Sequence, residues 1–171
     1  MDAENDLARR AAAGDVAAFT ALVRLHEAAV RRFLARLTRG PGADDLAQEA
    51  FLRAWRSAAD WRGEGSYRGW LLRIAWTQFL SSRRAESRRA GRDREAMERQ
   101  TAAPNDPDAA LDLARALAAL GDRERAAASL CFGEGCSHTE AARIMDIPLG
   151  TLKSVLARAR SALAERLEAQ E

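Results

Sequence analysis

The stretch that most constrains this chain is residues 137–160, SHTEAARIMDIPLGTLKSVLARAR. Ser137 and Glu140 form a Ser-x-x-Glu capping box, in which each side chain satisfies a backbone N–H that the first helical turn leaves open. Ala141, Ala142 and Ile144 give that helix a small apolar face. Asp146-Ile147-Pro148 ends it, because proline cannot continue a helix without losing a hydrogen bond, and Pro148 suits the first turn of a second helix. Leu152, Val155, Leu156, Ala159 and Leu163 then fall on one stripe at helical spacing. Thr151, Lys153, Ser154 and Arg158 lie off the stripe, short polar and basic groups near the helix N-terminus. Two helices around a tight turn, the second with such a face, are the build of a helix-turn-helix that reads base edges in the major groove. The plainer reading is a helical hairpin with a solvated basic face.

Alanine and arginine dominate a chain of 171 residues with four prolines and few β-branched side chains, which points to an all-α fold. That length suffices for one domain or two small ones. The net charge is only +2, so nucleic-acid affinity must come from where the charges sit. Lys153 is the only lysine, and the abundant arginines favour forked contacts to phosphate and guanine. No apolar run approaches the roughly 20 residues needed to span a bilayer, which with an acidic N-terminal stretch leads us to expect a cytoplasmic protein without membrane insertion. Cys131 and Cys136 read as idle thiols rather than a redox pair or, with His138, part of a zinc site, which would lack a fourth ligand. Neither a cofactor nor a metal site is expected.

Ahead of the helix-turn-helix the chain divides in two. Residues 6–13 predict a short helix stopped at Gly14-Asp15, and Phe19, Leu22, Val23, His26, Val30, Phe33, Leu34 and Leu37 predict a longer one, broken by Gly40-Pro41-Gly42. His26 sits on its apolar face and reads as a packed core histidine. Residues 44–59 predict a helix with Ala47, Phe51, Ala54, Trp55 and Ala58 inward. Its other face carries Asp45, Gln48, Glu49, Leu52 and Arg56; first-turn acids can offset the helix dipole, but Glu49 lies too far along for that, so a protein-docking surface is the sharper reading.

Residues 61–67, WRGEGSY, form a glycine-rich loop with two aromatics, Trp61 and Tyr67. The helix after it, to about residue 89, carries Arg73, Thr77, Ser81, Arg84 and Arg88 along one polar, cationic face. Six arginines against Glu86 and Asp93 give residues 83–94 a local excess of +4. Aromatics beside a cationic helix suit a single strand whose bases stack while its backbone is neutralised. The competing reading makes the tryptophans core, and for Trp55 and Trp70 it is the better one. Residues 96–108 lose periodicity and gain two prolines, as a flexible linker does. Asp108 can then cap a predicted helix with Leu111, Ala114, Leu117 and Ala118 on its apolar stripe, and Asp122 is expected to start another that runs to about Phe132.

In this order the parts resemble the sigma-70 family of bacterial transcription initiation factors, in its small extracytoplasmic-function (ECF) type. The residues that carry the resemblance are Asp44-Asp45-Leu46, Gln48-Glu49, Phe51-Leu52 and Ala54-Trp55; then Trp70-Leu71 and Ile74-Ala75; then Pro148, Gly150-Thr151, Lys153-Ser154 and Arg158-Ala159-Arg160. It implies a sigma domain 2 over residues 1–95, a linker over 96–108 and a sigma domain 4 over 109–171. It further implies that Asp45, Gln48, Glu49, Leu52 and Arg56 grip the clamp helices of the β′ subunit of core RNA polymerase, with domain 4 on the β flap. Trp61, Tyr67, Arg73, Thr77, Ser81, Arg84 and Arg88 would melt and hold the minus-ten element of promoter DNA, flipping a base from the stack at a cost of a few kcal/mol. Thr151, Lys153, Ser154 and Arg158 would read the minus-thirty-five element. Such factors are commonly held inactive by an anti-sigma factor. Three positions depart from the family's usual residues: Thr77 for Asn, Ser81 for Asp and Val155 for Arg. The implied function is that of a promoter-specificity subunit with no chemistry of its own; the alternative is a stand-alone helix-turn-helix regulator that never engages polymerase. An enzyme would need clustered carboxylates, or His and Cys, in a pocket.

Overall fold

The computed structural model describes residues 2–38, 42–93 and 120–168. The expected linker and the helix expected after Asp108 lie outside the described residues, as does most of the Gly40-Pro41-Gly42 break. The described segments are helical: α1 (Asp2–Ala12), α2 (Val16–Leu37), α3 (Ala43–Arg56), α4 (Tyr67–Asp93), α5 (Asp122–Ala128), α6 (His138–Met145) and α7 (Leu149–Glu168), with a 3₁₀ turn at Ala58–Asp60 and a π turn at Ser129–Gly133. No strand occurs among the described residues.

Three of the helices, α2, α4 and α6, begin where a side chain accepts from an open N–H group of the first turn. Asp15 accepts from the Ala18 N–H at 3.0 Å and is held in place by Arg10 at 2.7 Å. Ser66 Oγ accepts from the Gly69 N–H at 3.0 Å at the head of α4. The expected capping box is present, Ser137 accepting from Glu140 N–H at 3.2 Å and Glu140 accepting from Ser137 N–H at 3.4 Å. At the head of α3 stands Gly42 with φ of 112°, a left-handed backbone that glycine adopts without steric cost. Pro148 lies one residue before α7, and its carbonyl accepts from the Leu152 N–H at 3.0 Å. Several boundaries differ from expectation, and α4 runs to Asp93, past the expected end at about residue 89. α1 starts at Asp2 rather than residue 6, and α3 ends at Arg56, three residues early, where Ser57 Oγ donates to the Arg53 carbonyl at 2.9 Å. The helix expected to run from Asp122 to Phe132 is α5 followed by the π turn.

The core of the first half is the apolar face of α2 (Leu22, Val30, Phe33, Leu34, Leu37) against Leu71, Leu72, Ala75, Trp76 and Phe79 of α4. Ala47, Ala50 and Ala54 let the backbone of α3 come in close beside them. The buried cluster does not stop at the end of this half: it continues through Ala126, Ala127 and Leu130 to Ala141, Ile144, Met145, Leu152 and Val155. α6 packs on α4, and α5 on α2. Arg125, fully buried on α5, donates to the Leu37 carbonyl at 2.9 Å and also to the Leu120 carbonyl. A cation thus meets the open carbonyls and negative end of α2.

Candidate nucleic-acid and protein interfaces

The helix-turn-helix is α6, a turn in which Asp146 takes a left-handed φ of 55°, and α7. Leu152, Val155, Leu156 and Ala159 are buried, which leaves Thr151, Lys153, Ser154 and Arg158 exposed on the other side. Ser154 Oγ donates to the Gly150 carbonyl at 3.1 Å, and Arg158 is paired with Glu124 at 3.2 Å. Val155 faces inward at 1% exposure, so an arginine there would have to leave its charge in the core.

On α3, Asp45, Gln48, Glu49, Leu52 and Arg56 are all exposed. Beside them runs a groove of about 570 Å³ between α2 and α3, lined by Val16, Phe19, Val23, Phe51, Leu52 and Trp55 with Asp44, Asp45 and Gln48 at its rim. Trp55 packs on Phe19 with ring centres 5.0 Å apart, and Val16 is 64% exposed. Phe19, Val23, Phe51 and Trp55 read as core from spacing alone. They are only half-buried, and they turn an acidic stripe into an acidic stripe with an apolar trough. Val16, alone before the periodic run, was the residue from which the trough could have been suspected.

Along α4, Arg73, Thr77, Ser81, Arg84 and Arg88 are exposed and share a face as expected. Thr77 Oγ1 donates its proton to the Arg73 carbonyl at 2.9 Å, which leaves the hydroxyl only acceptor capacity outward. The aromatic loop is arranged differently from expectation. Tyr67 lies inside at 2% exposure, between His26 and Trp70 with ring centres 6.0 and 5.1 Å away, and Trp61 is half-buried against its edge at 5.5 Å. Left-handed Gly63 and Gly65 turn the loop back over the tyrosine. As the chain stands, Tyr67 is therefore not available to stack on a base. Burial raises its pKa to about 12. Its hydroxyl and Trp61 Nε1 are buried without a hydrogen-bond partner. Burial also lowers the His26 pKa, against the opposing charge of Glu4 whose Oε1 is 3.3 Å away. Trp76 is core, stacked on Phe79.

The second half of the chain sits across the mouth of this loop. Glu140 on α6 meets Ser66 at 3.1 Å, Asp146 meets Arg73 at 3.4 Å, and Asp122 on α5 meets Arg83 at 3.1 Å. Glu134, whose side chain is wholly covered, accepts from Arg32 at 3.2 Å, Arg36 at 2.8 Å and Arg68 at 2.8 Å. Burial pushes the Glu134 carboxyl up, but hydrogen bonds from the three guanidiniums together outweigh it and hold the group below the ordinary glutamate range. Cys131 and Cys136 are free thiols, both raised by burial, Cys136 to about 11.

Residues 22–89 match the family model of Sigma-70 region 2, and residues 110–163 match that of Sigma-70 region 4. The chain belongs to the sigma-70 family, in its ECF type. It is 36% identical to the ECF RNA polymerase sigma factor SigE of Mycolicibacterium smegmatis over 91% of its own length, and spans 65% of that relative. With the ECF RNA polymerase sigma-E factor of Escherichia coli it shares 29% identity over 95% of this chain and 93% of the other. Among solved structures it is similar to the sigma factor RpoE of Bartonella quintana, crystallised with the anti-sigma factor NepR: TM-score 0.76, 27% identity, 90% of this chain and 98% of that one. CnrH in complex with the cytosolic domain of CnrY has the same fold, with a TM-score of 0.74 over 99% of both chains. In sigma-70 terms, the groove of α2 and α3 and the loop before α4 belong to region 2, the helix-turn-helix belongs to region 4, and Glu134 joins the two regions.

Proposed function

We propose that this protein binds core RNA polymerase and directs promoter-specific transcription initiation, with no catalytic chemistry of its own. The observation that carries the reading is that one chain presents an exposed acidic stripe beside an apolar groove on α3 as well as an exposed polar and basic face at the start of α7. A DNA reader needs only the second. The α3 stripe, Asp45, Gln48, Glu49, Leu52 and Arg56, docks on the β′ clamp helices, with the groove taking an apolar side chain from that partner. Residues 1–95 act as sigma domain 2, 96–108 as the linker and 109–171 as sigma domain 4, which also rests on the β flap. Arg73, Thr77, Ser81, Arg84 and Arg88 line the path of the melted minus-ten strand, with Trp61 and Tyr67 reaching it after the loop rearranges. Thr151, Lys153, Ser154 and Arg158 read the minus-thirty-five element. The chain works in the cytoplasm and is held inactive by an anti-sigma factor, as is supported by its likeness to a sigma factor crystallised with one.

Binding of core polymerase to the Glu49→Ala variant tests this reading. The sigma assignment expects at least tenfold weaker capture by core with unchanged helicity. Capture equal to that of the unaltered chain would remove α3 from the interface, and absence of capture for both would favour a stand-alone regulator.

A further inference from the structure

The two halves of the chain meet through charge as well as through apolar packing, and the charge has a direction. Glu134, Glu140 and Asp146 follow one another at intervals of six residues on the region 4 side. They face Arg32, Arg36 and Arg68, then Ser66, then Arg73 on the region 2 side. Of the groups they face, Arg73 lies on the path given above to the DNA strand and Ser66 lies in the loop beside it, while Arg32, Arg36 and Arg68 would extend that path towards α2. Glu134 is the most elaborate of these contacts. Its carboxylate is enclosed by guanidiniums from two helices, and its backbone carbonyl takes a further bond from Arg68 at 2.8 Å. Three cations around one carboxylate are more than a single negative charge requires, whereas a strand brings phosphates in series. Arg68 directly follows Tyr67, so the cradle opens at the end of the aromatic loop.

Size adds a second argument. Minus-ten and minus-thirty-five elements are centred some 25 base pairs apart, about 85 Å at roughly 34 Å per ten base pairs. A compact chain of 171 residues is only about 40 Å across. The closed arrangement therefore cannot hold both elements, and region 4 must leave region 2 for both to be read.

We propose that Arg32, Arg36 and Arg68 form a phosphate-binding cradle for the promoter strand, and that Glu134 fills it in the closed chain as an internal competitor. The proposal rests on the sigma reading for the identity of the strand. Opening exchanges one carboxylate for backbone phosphates, so the arginines keep partners in both states.

The test uses the full chain without polymerase and a fluorescein-labelled single-stranded 12-mer of mixed sequence, followed by anisotropy between 25 and 200 mM salt. Glu134→Gln is expected to tighten binding at least tenfold with unchanged far-UV circular dichroism. Adding Arg32→Gln and Arg36→Gln to that variant is expected to weaken binding again and to flatten the salt slope by about 1.4, two cations at roughly 0.7 each for a single strand. Gly133→Ala is a milder second route, because a methyl group there meets the Arg36 guanidinium and displaces it from Glu134; it is expected to tighten binding in the same sense. The proposal is overturned if Glu134→Gln leaves binding unchanged, or if the two arginine substitutions leave affinity and slope as they were. Core capture of the same variants is measured in parallel: its failure counts against the sigma reading, while failure of the strand measurement alone counts against the cradle.

Discussion

His26 is buried at 6% exposure between Glu4, Tyr67 and Arg68, and the cost of enclosing its charged form lowers its pKa. The unfolded chain, with histidine near 6.5, therefore binds more protons than the folded chain just below that pH, and stability rises with pH across that interval. Urea melts between pH 7.5 and 5.5 should show the midpoint falling on acidification, and His26→Leu should flatten the profile; an equal slope in both proteins would place the titrating group elsewhere. Spacing alone put His26 in the core. It also put Val155 on the buried stripe of α7, and the structure has it there. Tyr67 is the residue that the sequence reading put on the stacking surface and the structure buries. Aromatics in a glycine-rich loop suit a stacking platform or a packed plug equally well, and the choice depends on how Gly63 and Gly65 fold the loop over its neighbours.

At the scale of elements, caps were the most legible signals because their chemistry is local. Ser137 with Glu140 places the start of α6, and its removal by Ser137→Ala should cost about 1 kcal/mol in a chemical melt. A change below about 0.3 kcal/mol would mean that α6 is held by packing alone. The small faces of α3 are equally readable after the fact: Ala54 has no exposed surface, and Ala54→Leu should destabilise the fold by about 1–3 kcal/mol through overpacking. On α7, Lys153→Ala should weaken binding to duplexes that carry the minus-thirty-five element by about 1–3 kcal/mol and relax the base preference there. A uniform loss across sequences with the salt slope flattened by about 0.9 would make Lys153 a phosphate contact instead. What sequence did not disclose were features set by distant partners. The π turn at Ser129–Gly133, the trough between α2 and α3, and the burial of Arg125 on the end of α2 all depend on segments far apart in the chain.

For the whole molecule, the sequence marked two halves, and the family matches fall on them, but periodicity carries no information about how two such halves pack. The structure joins them through a continuous core and through Glu134. Because the Glu134 carboxyl is held below its ordinary range, its contribution to the closed form is present above about pH 4.3 and is lost as pH falls through the lower folded value. Small-angle scattering should accordingly give one radius of gyration from pH 5 to 8 and a larger one only on titration further into acid, below the ordinary glutamate range; a radius that changes between pH 6 and 7 would assign the joint to another group. The central claim, that this chain confers promoter choice on polymerase, is tested most directly by run-off transcription with core polymerase, this protein and a library of upstream sequences. The account predicts transcripts from a restricted set sharing two elements about 25 base pairs apart, and their loss with Glu49→Ala. Core polymerase that shows the same transcripts with and without the protein would contradict it.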